Sequence, residues 1–161
     1  MTLTIKMISD ALGISRSRVE QWISRGYFRT PDKPVLGKAR EWDERDALRL
    51  ALMNTLMENR ISAETAGRMA FNDPLYAGEN SFFVAWRGWS VGACGGKFYY
   101  PEIFYHDVVR GQDLGGFLQN PDVEFSVVVN LDILSASVKE QLEALENFKT
   151  AVENAGAKYD G

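Results

Sequence analysis

The apolar residues of this 161-residue chain change their period once, and that change constrains the fold more than any motif does. Up to about residue 70 they recur every three or four positions, the spacing of a helix with one buried face. From residue 81 they alternate, or run aromatic and β-branched, as strands do. Between the two lies FNDPLYAGEN, where Pro74 and Gly78 oppose a continuous helix. The pattern implies an α+β chain, with a helical part first and a sheet second.

The helical part opens with IKMISDAL, where Ile5, Ile8 and Leu12 fall at helical spacing. Gly13 ends that helix, because glycine tolerates the left-handed backbone of a helix stop. Ser15 is a natural N-cap for a second helix. That helix runs to about Arg25, stops at Gly26 and carries an inward stripe of Val19, Trp22 and Ile23. Residues 27–42, YFRTPDKPVLGKAREW, read as a hairpin-like loop, or wing. Asp43 and Asp46 form a capping box for a helix with Leu48, Leu52 and Leu56 inward. Ser62 caps a shorter helix reaching about Met69.

The second part holds SFFVAWRGWSV, then a Gly-Gly turn at 95–96 before KFYY, then VEFSVVVNLDI over 123–133. Ser137 and Glu140 read as a capping box for a last helix over about 137–154. Val138, Leu142, Leu145, Phe148 and Val152 form its apolar stripe. The expected organisation is a unit over 1–70, a linker over 71–80 and a β-rich unit over 81–161. The last is a small antiparallel sheet of three strands closed by the terminal helix.

Composition removes several functions. No apolar run approaches the ~20 residues of a membrane span. MTLTIKMISD lacks the basic flank and apolar core of a secretory signal, so a cytoplasmic protein is expected. The single cysteine, Cys94, excludes an internal disulfide and a cysteine-built zinc site. His106 is the only histidine, so a multi-histidine metal site is excluded within one chain. Cys94, His106 and Asp107 make a poor catalytic set, because the acidic surroundings supply little to activate the thiol. GACGGK lacks the Ser/Thr and the strand-to-helix switch of a phosphate loop. The expectation is a non-enzymatic protein with no cofactor and no metal.

Charge is informative by its distribution. The net charge is −4. Residues 1–70 carry +3, and residues 71–161 carry −7. A basic front and an acidic back suit a polyanion-binding half joined to a half with another task.

The front half holds the pieces for it. Two short helices joined by a glycine turn make a helix-turn-helix, whose second helix enters the DNA major groove. With Val19, Trp22 and Ile23 inward, Ser17, Gln21 and Ser24 point outward. Arg18 and Arg25 lie on one shoulder, Arg16 and Glu20 on the other. Arginine pairs with guanine, glutamine with adenine, and serine with base or phosphate. Arg25, at the far end, suits a phosphate.

The run ALGISRSRVEQWISRGYF, followed by a wing, then Arg40 and Trp42, then DERDALRLALMNTLMENRISAETA, resembles two families of winged helix-turn-helix proteins. They are the MerR-type regulators and the excisionase-like proteins, and the resemblance covers about residues 4–70. It implies a DNA-binding surface of Ser15, Arg16, Ser17, Arg18 and Gln21 on the recognition helix. It also implies wing contacts from Lys33, Lys38 and Arg40, with Trp42 packing the wing onto the helices. Glu20-Gln21-Trp22 stands where many MerR-type proteins carry Arg-Tyr-Tyr. An acid there repels phosphate but can accept a hydrogen bond from cytosine.

The function expected is sequence-specific binding of double-stranded DNA by a dimeric transcriptional regulator. The homodimer would form through the C-terminal unit, whose acidic surface is also open to a protein partner. Two alternatives stand beside it. One is an architectural factor of excisionase or DNA-packaging type. The other is a protein-interaction module whose helix-turn-helix no longer binds DNA.

Overall fold

The structure, a computed structural model, describes residues 3–29, 41–72, 79–91, 96–99 and 103–155. It is α+β, and its contacts divide the chain into two compact units, Met1–Phe71 with Leu134–Gly161 and Asn72–Ile133. The sequence reading assigned the terminal helix to the sheet; the contacts assign it, from Leu134 on, to the helical unit.

In the helical unit, α1 (Ile5–Leu12) is capped by Thr4, whose side chain accepts from the Met7 amide. It ends at Gly13, in the left-handed conformation with φ 64°. α2 spans Arg16–Ser24 and stops before Gly26, at φ 72°. The capping box at the start of α3 (Glu44–Glu58) is complete: the Asp46 amide donates to Asp43 Oδ1 at 2.8 Å, and the Asp43 amide to Asp46 Oδ2 at 3.4 Å. Ser62 caps α4 (Ala63–Asn72), accepting from the Thr65 amide at 3.3 Å.

The expected stripe of Leu48, Leu52 and Leu56 is buried, and so are Ala47, Leu50, Ala51 and Met53. A helix enclosed on most sides is a central helix, not a surface one. Each large apolar side chain taken out of water there contributes about 1.5–3 kcal/mol. Leu3 and Trp42 form an isolated antiparallel bridge, tying the chain before α1 to the chain before α3. Trp42 is buried and stacks on Phe28 with ring centroids 6.0 Å apart. Gly67 lets α4 lie directly against the backbone of Tyr27, where a Cβ would overlap the carbonyl oxygen. The proposed wing lies almost wholly in residues 30–40, outside the described residues.

The sheet unit is built around β1 (Ser81–Val91). β2 (Lys97–Tyr99), β3 (Tyr105–Arg110) and β4 (Val123–Asn130) all pair with it antiparallel, so the described sheet has four strands rather than three. β1–β2 pairing starts at Val91 opposite Lys97, and the Gly-Gly turn falls mostly outside the described residues. The register puts Phe83, Val108 and Val129 on one face, and Trp86, Tyr105 and Ser126 on the other. α5 (Gly111–Leu118) follows β3 and sets Phe117 edge-on to Trp86 at 4.9 Å. A register shift at Arg87/Gly88 accommodates the Asp122 carbonyl, which accepts from the Trp89 amide at 2.8 Å.

The strand expected over 123–133 ends earlier, at Asn130, and α6 (Leu131–Asn154) begins at once. Asn130 Oδ1 accepts from the amides of Asp132 and Ile133, both at 3.0 Å. Asparagine is as good an N-cap as serine. Ser137, expected at the helix start, therefore lies inside α6.

Candidate nucleic-acid interface

The geometry of the exposed site starts at the turn between α1 and α2. Gly13 reverses the chain, and the Ile14 amide closes α1 by donating to the Ser9 carbonyl at 3.0 Å. Ile14 is buried under the turn, the apolar contact expected after a left-handed helix stop. α1 and α2 are thereby held as a helix-turn-helix.

Ser15 occupies the N-cap position of α2 but makes no side-chain bond to the helix. Its Oγ lies 3.4 Å from Ser17 Oγ instead. No acid stands in the first turn of α2. Open amide groups with no carboxylate beside them favour an approaching anion.

Val19 and Trp22 are buried and Ile23 is half-buried, so the inward stripe is as the helical spacing requires. Ser15, Arg16, Ser17, Arg18, Gln21, Ser24 and Arg25 are all exposed. Their environments differ. Arg16 Nε donates to Glu20 Oε1 at 2.7 Å, with the two side chains 59% and 51% exposed. The Arg18 guanidinium carbon lies 5.1 Å from the centroid of the Trp22 ring, a cation–π contact. Ser24 Oγ is turned back to the Gln21 carbonyl at 3.0 Å. Both arginines are thus braced by the residue four positions on. Ser17 and Gln21 form the crown between them.

Glu20 is the residue that the sequence reading undervalued. It gave this acid two readings, a charge that repels phosphate and an acceptor for cytosine, but did not pair it with Arg16. The structure makes it the partner of Arg16, and the i,i+4 spacing was the available signal. Lys33, Lys38 and Arg40, the expected wing contacts, lie outside the described residues. Trp42, assigned to packing, is buried. Among the described residues, no three His, Cys, Asp or Glu are grouped to hold a metal ion, and no helix is long and apolar enough to cross a membrane.

Residues 3–70 match the family model described as MerR HTH family regulatory protein. The match spans α1 to α4 nearly whole, and so covers the helix-turn-helix and the two helices after it. It supports DNA binding in a transcription regulator for this segment. No curated protein matches the chain.

Proposed function

We propose, from the match of residues 3–70 to the MerR helix-turn-helix family model, that this chain is a sequence-specific DNA-binding transcriptional regulator acting as a dimer. The observation that carries the reading is the polar face of α2, exposed along its length on a helix-turn-helix that matches that family model. Ser17 and Gln21 face the base edges in the major groove. Arg18 and Arg25 supply charge to the flanking phosphates. Lys33, Lys38 and Arg40 extend the contact through the wing. No catalytic step enters this reading.

The dimer is assigned to the C-terminal helix. α6 has 24 residues and is about 36 Å long, longer than the sequence alone implied. Leu131, Val138, Leu142, Leu145 and Val152 fall on a seam of alternating threes and fours or multiples of them, the spacing of a coiled coil. Leu131, Val138 and Leu142 are buried, whereas Leu145 and Val152 remain half-exposed and Phe148 exposed. A second copy covers that distal half. Dimers of this kind read two half-sites about one DNA turn apart.

Selection of bound duplexes from a random library, with stoichiometry measured, tests the reading. A palindromic motif bound by two chains is expected, with affinity falling steeply as salt rises. Arg18→Ala should weaken binding, and Leu145→Glu should yield monomers that bind half-sites weakly. A bend in the DNA without any regulatory effect would favour the architectural alternative. Absence of salt-sensitive binding to any duplex would leave the protein-interaction module.

A further inference from the structure

Glu20 is the only acid in α2, and its carboxylate holds Arg16 by the inner nitrogen of the guanidinium. With Nε occupied, the two terminal amino groups are the donors that remain. They are the pair that meets two acceptors end-on in one plane. Helix stability does not account for the arrangement. An exposed pair is worth little, and arginine before glutamate is the less favourable order at i,i+4.

Charge decides what the pair is suited to. Arg16 and Glu20 together carry no net charge, so as a unit they release few counterions and neutralise phosphate poorly. A carboxylate pressed toward phosphate is repelled. A base pair imposes neither penalty. In the major groove guanine offers O6 and N7 as acceptors, and its cytosine partner offers the N4 amino group as donor. The unit carries two donors on Arg16 and a second carboxylate oxygen on Glu20, which matches that order.

We infer that Arg16 and Glu20 read one G·C base pair as a unit: Arg16 donates to guanine O6 and N7, while Glu20 fixes Arg16 and accepts from cytosine N4. Glu20 is then a specificity residue. This rests on the proposed DNA-binding function.

The test is random-duplex selection and competition binding with the wild-type chain, Glu20→Gln, Arg16→Ala and the double variant. Both side chains are exposed, so folding should persist, and circular dichroism checks it. The wild-type motif should contain a fixed G·C pair. Glu20→Gln should lose the preference there by on the order of tenfold or more. Arg16→Ala should lose the same preference, and the double variant should lose no more than Arg16→Ala alone. The inference is overturned if Glu20→Gln tightens binding to every sequence alike and leaves the motif unchanged, the behaviour of a merely repulsive charge. It is equally overturned if the two single variants alter different positions. Failure of the wild-type chain to enrich any duplex is a separate result and removes the functional reading beneath.

Discussion

Helix α2 and the sheet unit present opposite kinds of surface. α2, in the helical unit, exposes only Ser15's neighbours of the same character: arginine, serine, glutamate and glutamine. The sheet unit leaves Trp89, Ile103, Leu118, Phe125 and Val128 exposed. A polar, partly cationic face suits a polyanion, whereas exposed aromatic and branched residues suit another protein surface. The interiors of the two units differ as well. The helical unit is built around the buried α3, with side-chain caps on α1 and α3 and one backbone-to-backbone approach at Gly67. The sheet unit is held by one long strand paired on both sides. A helix held by a buried stripe leaves its outer face free to vary.

The largest expected effect tests the sheet. Phe83 is fully buried in the middle of β1, where that strand pairs with both β3 and β4. Phe83→Ala should cost about 3–5 kcal/mol, from lost transfer free energy and the cavity left behind. Urea titration followed by tryptophan fluorescence measures it. A cost under about 1 kcal/mol would mean that β1 does not organise this unit.

The corresponding site in the helical unit is Gly67. Its Cβ would overlap the Tyr27 carbonyl oxygen, and backbone on both sides leaves no side chain to give way. Gly67→Ala should destabilise by roughly 3 kcal/mol, at the upper end of overpacking. The sign is informative, because alanine is otherwise the better helix former by about 1 kcal/mol. Gly88→Ala, against the Asp122 carbonyl, poses the same test in the sheet and should cost a similar amount.

The two units were not equally legible in the sequence. α1, the Gly13 turn, α2, the Asp43–Asp46 box and the Ser62 cap each have a local cause, and local causes can be read residue by residue. The exposed face of α2 follows from period alone. The pairing of Arg16 with Glu20 also had a spacing signal, but its meaning depended on side-chain geometry. In the sheet unit, β3 and α5 gave no such signal. β3 is half-buried on both faces, so it shows no clean alternation. α5 starts at Gly111 and carries Gly115 and Gly116, which helix propensity opposes. The end of β4 misled for another reason. Leu131 and Ile133 continue the apolar alternation of Val127 and Val129, yet Leu131 is buried and Ile133 is 68% exposed. The Asn130 cap, not the pattern of apolar residues, decides where the strand becomes a helix.

That junction gives a smaller prediction. Asn130→Ala removes the acceptor for two amides at the start of α6 and should cost about 1 kcal/mol. Asn130→Asp should keep most of that, since aspartate caps as well and adds favourable charge at a helix N-terminus. Ser137→Ala, inside the helix, should change stability by less than about 0.5 kcal/mol. If Ser137→Ala were the costlier of the two, the helix would begin where its sequence first implied.

The smallest effect lies in the helical unit. Arg60 follows the end of α3 with φ 66°, a left-handed backbone without glycine's freedom. The geometry is a helix stop, since the Ile61 amide donates to the Leu56 carbonyl at 3.1 Å and the Arg60 amide to Met57 at 3.0 Å. A residue with a Cβ loses about 1–2 kcal/mol there. Replacing it with glycine recovers that, less about 0.5–1 kcal/mol for glycine's greater chain entropy when unfolded. The cation beside the helix C-terminus contributes about 0.3–1 kcal/mol, which is also lost. Arg60→Gly should therefore be near neutral at the midpoints of these ranges and stabilise by about 1 kcal/mol at most, and Arg60→Ala should destabilise by about 0.5 kcal/mol. A shift of the urea midpoint at unchanged slope measures both. At 1 M salt the dipole contribution is screened, so the advantage of glycine over arginine should grow. If arginine stays the better residue at high salt, its side chain holds this turn by packing rather than by charge.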